Sequence, residues 1–209
     1  MLEKVRTADM SARKTYRFLW PIVIFLCGAA LGLISKILDG TAANELPAIL
    51  QRLDITNFLG RFAVWIFLAA CIAAYSRTPK RAALNVFVFF LGMVGCYYLY
   101  SALAAGFFPR TYAAIWFGIT VISPLPAFFC WYAKGRGWPA VILSGLIVGA
   151  ILSQTVLLLQ GIRIAHVPEL IVLALALIVF RRKPKEFAVM TAAALLTAVA
   201  VQALLPVWG

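Results

Sequence analysis

The chain has 209 residues, 64% of them hydrophobic and 12% charged, with 19 Lys and Arg against 7 Asp and Glu. A soluble domain is nearer half apolar and a quarter charged, so this composition excludes a water-soluble fold and calls for a bilayer as solvent. The formal charge of +12 is scattered over short stretches between apolar runs, which excludes nucleic acid as a partner and leaves membrane lipids.

The chain opens on a basic arm holding Lys4, Arg6, Arg13, Lys14 and Arg17. A first apolar run follows over 18–38. Its stretch from Phe18 to Ser35 is longer than a signal-peptide core, and no small-residue cleavage site follows, so it reads as a retained helix. The segment "DGTAANELPAILQRLDITN" (39–57) spaces Leu46, Ile49, Leu50 and Leu53 as one helical face, with Glu45, Gln51 and Arg52 opposite. That pattern predicts a short amphipathic helix at the membrane interface, either a passive anchor or a lid. Further apolar runs cover 57–76, 82–107, 112–133, 138–160, 165–180 and 187–208. About 20 apolar residues cross a bilayer, so the expectation is seven transmembrane helices in an all-α integral membrane protein, residues 1–209 forming one membrane domain. The sixth run is the weakest: its dense part, Leu170 to Phe180, spans only by recruiting Ile162 to Val167. In the fourth run, "SPLP" places Pro124 and Pro126 after Ser123 and predicts a break or kink there.

The charges suggest an orientation. With seven crossings, the arm, "SRTPKR" (76–81), "KGRG" (134–137) and "RRKPKE" (181–186) share one side, while Lys36, Arg52, Arg61, Arg110 and Arg163 fall on the other. The bias places the N-terminus in the cytoplasm and the C-terminus outside, and six crossings would put a basic cluster on the wrong side.

Two stretches repeat. "WPIVIFLCGAALG" from Trp20 and "WPAVILSGLIVG" from Trp138 both begin Trp-Pro, and a one-residue gap brings Gly28 and Gly32 onto Gly145 and Gly149. Later, "SRTPKRAA" (76–83) lines up with "RRKPKEFA" (181–188), matching Arg77 to Arg182 and Pro79 to Pro184. This predicts a 3+1+3 parallel repeat: a first three-helix unit (17–108), a linker helix (112–133) and a second three-helix unit (138–209). The four glycines read as packing surfaces.

Polar groups at membrane depth mark candidate sites. Lys36 and Asp39 share a face at the end of the first helix, and Arg61, Tyr97, Tyr98, Ser123 and Gln154 complete a candidate substrate-binding set. Tyr100, Arg110, Arg163, His166 and Glu169 fall near the same side, and together these groups would suit a small polar or anionic solute. Taken singly, each also reads as an interfacial anchor or part of an aromatic belt. Asn85 reads as a bond to a neighbouring helix. Cys27, Cys71, Cys96 and Cys130 lie in apolar runs without metal spacing, and His166 is the sole histidine, so no metal, cofactor or catalytic residue is expected and the chain is not expected to be an enzyme.

The stretches "GLISKILD" (32–39), "FFLGMVGCYYLYS" (89–101) and "SPLPAFFCWYAKGRGW" (123–138) resemble a family of small bacterial multi-pass membrane proteins of unknown function. The resemblance implies the bacterial cytoplasmic membrane and carries no site residues. In architecture alone the layout is similar to seven-helix sugar transporters with parallel triple-helix repeats, in the opposite orientation. The expected function is a small-solute transporter or permease with its site between the halves, open to the outside. The alternative is a substrate-binding or accessory subunit working with a partner membrane protein, or a homo-oligomer. A lipid-modifying enzyme is a more distant third.

Overall fold

A computed structural model describes residues 5–8, 14–104, 106, 108–157, 163–164 and 167–204. The described chain is helical but for one minimal strand pair. Its α-helices are α1 (Lys14–Asp39), α2 (Ala48–Arg52), α3 (Ile55–Gly60), α4 (Phe62–Tyr75), α5 (Pro79–Ala104), α6 (Arg110–Ile122), α7 (Pro124–Tyr132), α8 (Trp138–Thr155), α9 (Val167–Val179) and α10 (Pro184–Leu204). Val156–Leu157 and Arg163–Ile164 form a two-residue antiparallel pair between α8 and α9. The chain runs back and forth between two ends. One end, rich in Lys and Arg, is here called the basic end; the other is the cavity end.

By length and composition, four helices can cross a membrane: Phe18–Asp39 within α1, then α5, α8 and α10. The pair α6 and α7 makes a fifth if taken as one bent span. The expected count of seven is therefore reduced to four or five. The second expected helix (57–76) breaks at Arg61, whose extended backbone (φ −94°, ψ 162°) separates α3 from α4. What remains is α4, 14 residues or about 21 Å, against a hydrocarbon core of about 30 Å. The sixth shrinks to α9, 13 residues. Of the stretch 162–167 it was to recruit, only Val167 is helical, with Arg163–Ile164 in the strand pair and residues 162, 165 and 166 outside the described residues. The expected amphipathic helix reduces to a 3-10 turn (Ala43–Glu45) and the five-residue α2, because Pro47 interrupts the pattern and Asp54 adopts a left-handed conformation (φ 49°).

The bend at "SPLP" is present. α6 and α7 meet at 42° across Ser123. Pro124 has no N–H to give the carbonyl of Thr120, and the Ser123 hydroxyl donates to that carbonyl instead, at 2.8 Å. The freed acceptor is thus satisfied inside the bundle.

Two helix pairs have the most extensive contacts, α1 with α5 and α8 with α10. Both rest on glycines. A Cβ at Gly28 would strike the Phe89 carbonyl, one at Gly32 the Met93 carbonyl, and one at Gly92 the Phe25 carbonyl. In the second pair, Gly145 faces the Met190 carbonyl and the Ala193 methyl, and Gly149 faces the Ala194 carbonyl. Small residues let the backbones approach this closely, which supplies the dispersion contact that holds helices together where lipid removes the hydrophobic driving force. The core continues across α4, α5, α7 and α8 through Trp65, Phe89, Met93, Trp131 and Ile151, each under a tenth exposed.

Candidate functional site

The last turn of α1 and the outer part of α5 lie side by side at the cavity end because the glycine contacts clamp these helices together one and two turns below. Lys36 Nζ donates to Asp39 Oδ2 at 2.7 Å, and the Tyr97 hydroxyl donates to the same oxygen at 3.0 Å. Lys36 also sits over the Tyr97 ring, 5.1 Å from its centroid. The Lys36 side chain is 16% exposed and that of Asp39 48%, so the pair stands at a rim with its cationic member turned inward.

Behind this rim lies a cavity of about 380 Å³, within the range of about 300–1,000 Å³ of small-molecule sites. Its walls come from α1 (Gly32, Ser35, Lys36, Asp39), α3 (Thr56, Leu59, Gly60), α4 (Trp65) and α5 (Met93, Val94, Tyr97, Tyr98), closed by Pro109 and by Tyr112 and Trp116 of α6. The aromatic wall is braced by ring contacts: Tyr98 packs edge-on against its fellow lining residue Tyr97 (5.0 Å) and against Phe108 (5.8 Å), and Phe62 stacks on Trp116 (5.1 Å).

Of the seven candidate binding residues, Lys36, Asp39, Tyr97 and Tyr98 converge on this cavity and three do not. Arg61 stands beside the lining residue Gly60, but its guanidinium turns to α9, where Nη1 meets Glu169 Oε1 at 2.6 Å and Nη2 lies 3.9 Å from Asp54. Glu169 is fully buried, and its Oε2 has no hydrogen-bond partner among the described residues. Ser123 serves the bend between α6 and α7. Among the described residues, Gln154 reaches only the adjacent Ser153 hydroxyl, at 3.4 Å. Every lining residue falls between 32 and 116, so the cavity is lined by residues of the expected first unit and linker helix, not by the two expected halves together. Of the wider set, Tyr100 and Arg110 are exposed, Arg163 is described by its backbone only, and His166 lies outside the described residues.

Sequence reasoning missed Trp65, Tyr112 and Trp116 as cavity walls; aromatics near helix ends read equally well as a membrane belt. It also missed a second cluster, at the basic end. There Arg6 Nη1 donates to the carbonyls of Ala74 (2.9 Å) and Trp131 (2.6 Å), with the guanidinium 4.2 Å over the Trp131 ring. Arg182 donates to the carbonyls of Ala133, Gly135 (2.9 Å) and Ala140 (3.2 Å) and to the Ser144 hydroxyl (2.9 Å). Lys134 donates to the Val179 carbonyl at 2.8 Å. These cations close the C-terminal ends of α4, α7 and α9, where unpaired carbonyls and the helix dipole attract positive charge. Burial lowers the guanidinium pKa of both Arg6 and Arg182, and Glu186 opposes it at Arg182. Asn85 donates to the Ser76 hydroxyl (2.9 Å), joining α5 to the turn after α4. No protein-family model, curated protein or solved structure matches the chain.

Proposed function

We propose that this protein is a small-solute transporter or permease of the bacterial cytoplasmic membrane, with the cavity behind Lys36 and Asp39 as its solute site. The observation that carries the reading is that cavity: a pocket of small-molecule size at one end of a bundle of apolar helices, with an ion pair at its rim. In this reading the basic end is cytoplasmic, by the bias of Lys and Arg, and the cavity opens outwards. The parallel 3+1+3 organisation belongs to the same proposal. It is supported by the two glycine-faced pairs, which join the first and third helix of each proposed unit. The Arg61–Glu169 pair then ties the first unit to the second, at a point next to the cavity, and a rocking motion of the units would have to break it.

The test is uptake. Purified protein in proteoliposomes is offered a panel of radiolabelled amino acids, sugars and carboxylates. The expected outcome is uptake of at least one solute above protein-free vesicles, lost in Lys36→Met and Asp39→Asn. Uptake no greater than in protein-free vesicles for the whole panel removes transport by the chain alone. The accessory-subunit reading rests on the apolar faces of α1 and α10, since only 22% and 17% of those spans are buried within the chain. Uptake that begins only when a partner ATPase is co-reconstituted would favour it.

A further inference from the structure

We infer that the cavity takes a zwitterion with a flat apolar body, an aromatic amino acid or a molecule of that chemistry, rather than the anion that a cationic rim suggests by itself. The inference rests on the cavity being a solute site and names the class of solute.

The rim decides the charge. Lys36 and Asp39 are partners at 2.7 Å, so together they are neutral. A ligand carrying only a negative charge must share Lys36 with Asp39, which gathers two anions around one cation with only the Tyr97 hydroxyl to help. A ligand carrying only a positive charge takes Asp39 and strands the ammonium of Lys36, whose side chain is 84% shielded from solvent. Each such ligand weakens the rim pair and makes one charged contact fewer than a zwitterion does, and the two losses add. A zwitterion strands neither group: its carboxylate meets Lys36 Nζ, its ammonium meets Asp39, and one ion pair becomes two in series. The Tyr97 face, which now holds the lysine ammonium at 5.1 Å, can hold the ligand's ammonium equally well.

The walls decide the body. Behind the rim stand Trp65, Tyr112 and Trp116, and Trp116 is held in place by its stack on Phe62. Trp65 is held as well, by its donation to the Leu59 carbonyl at 2.8 Å, so the lining is rich in aromatic groups, and aromatic pairs add attraction beyond burial alone.

The experiment is a calorimetric titration of the full chain in detergent with four probes: phenylalanine, 2-phenylethylamine, 3-phenylpropanoate and alanine. Phenylalanine is expected to bind about ten-fold or more tightly than each of the others, because each lacks one charge or the ring. Either single-charge probe binding within three-fold of phenylalanine overturns the inference on charge. Alanine binding within three-fold overturns it on the ring, and no binding of phenylalanine overturns it altogether. In Lys36→Met, checked for native helix content by circular dichroism, the preference is expected to swing to 2-phenylethylamine; an unchanged order of affinities overturns the role given to the rim. The two proposals fail separately. Phenylalanine binding without uptake leaves this inference standing and removes transport by the chain alone. Uptake of another solute without phenylalanine binding does the reverse.

Discussion

At the basic end, Arg6, Lys134 and Arg182 donate to main-chain carbonyls; at the cavity end, Lys36 and Arg61 each face a carboxylate. The chemistry of the partner separates structural from adaptable charge. A carbonyl at a helix end needs a donor in every state of the protein and has few alternatives to the one it has. A carboxylate can be shared with a ligand, and the rim pair is half-open to one. Cations at the basic end therefore hold the fold, and the exposed pair at the cavity end is free to act.

Arg61 strains this division, since it lies at the cavity end but pairs with the fully buried Glu169. Arg61→Ala is expected to have the largest effect, about 3 kcal/mol lost, because it leaves a buried carboxylate without its cation. The double variant Arg61→Ala/Glu169→Ala should recover most of that loss, and denaturant titration in detergent reads both. Without recovery, the cavity end would hold charge as rigidly as the basic end. Next comes Arg182→Met, which takes a donor from the carbonyls of Ala133, Gly135 and Ala140, of which the first and last keep the Ser144 hydroxyl, and should lower stability by about 2 kcal/mol, read as a fall in thermal midpoint. Ser123→Ala removes a donor from one carbonyl midway between the ends and should lose about 1 kcal/mol in the same assay. The smallest effect belongs to Lys36→Met, under about 1 kcal/mol in stability, since a rim ion pair adds little to folding. A loss there as large as that of Arg182→Met would erase the distinction between the ends.

The apolar runs were legible because a helix in lipid must satisfy its own backbone, and length alone then marks it. The "SPLP" bend was legible for the same local reason: the missing donor is written at Pro124 itself. The break at Arg61 was not, because the partner its side chain meets there, Glu169, lies 108 residues further along. Lys36 with Asp39 could be paired from their spacing in one helix, whereas the third member, Tyr97, is reached only through the glycine contact of α1 with α5. Arg6 and Arg182 could be counted as charges, but a count of charges says nothing of which carbonyls receive them.

The clamp between α1 and α5 also has a consequence in time. Gly28 meets Phe89, 89 − 28 = 61 residues later in the chain. At about 5–20 residues per second, α1 is made several seconds before the backbone it fits against exists. During that interval the face of Gly28 and Gly32 is without its α5 partner. Until then α1 does without this contact, and an 18-residue window of mean hydropathy 2.2 within Phe18–Asp39 suits it to that wait.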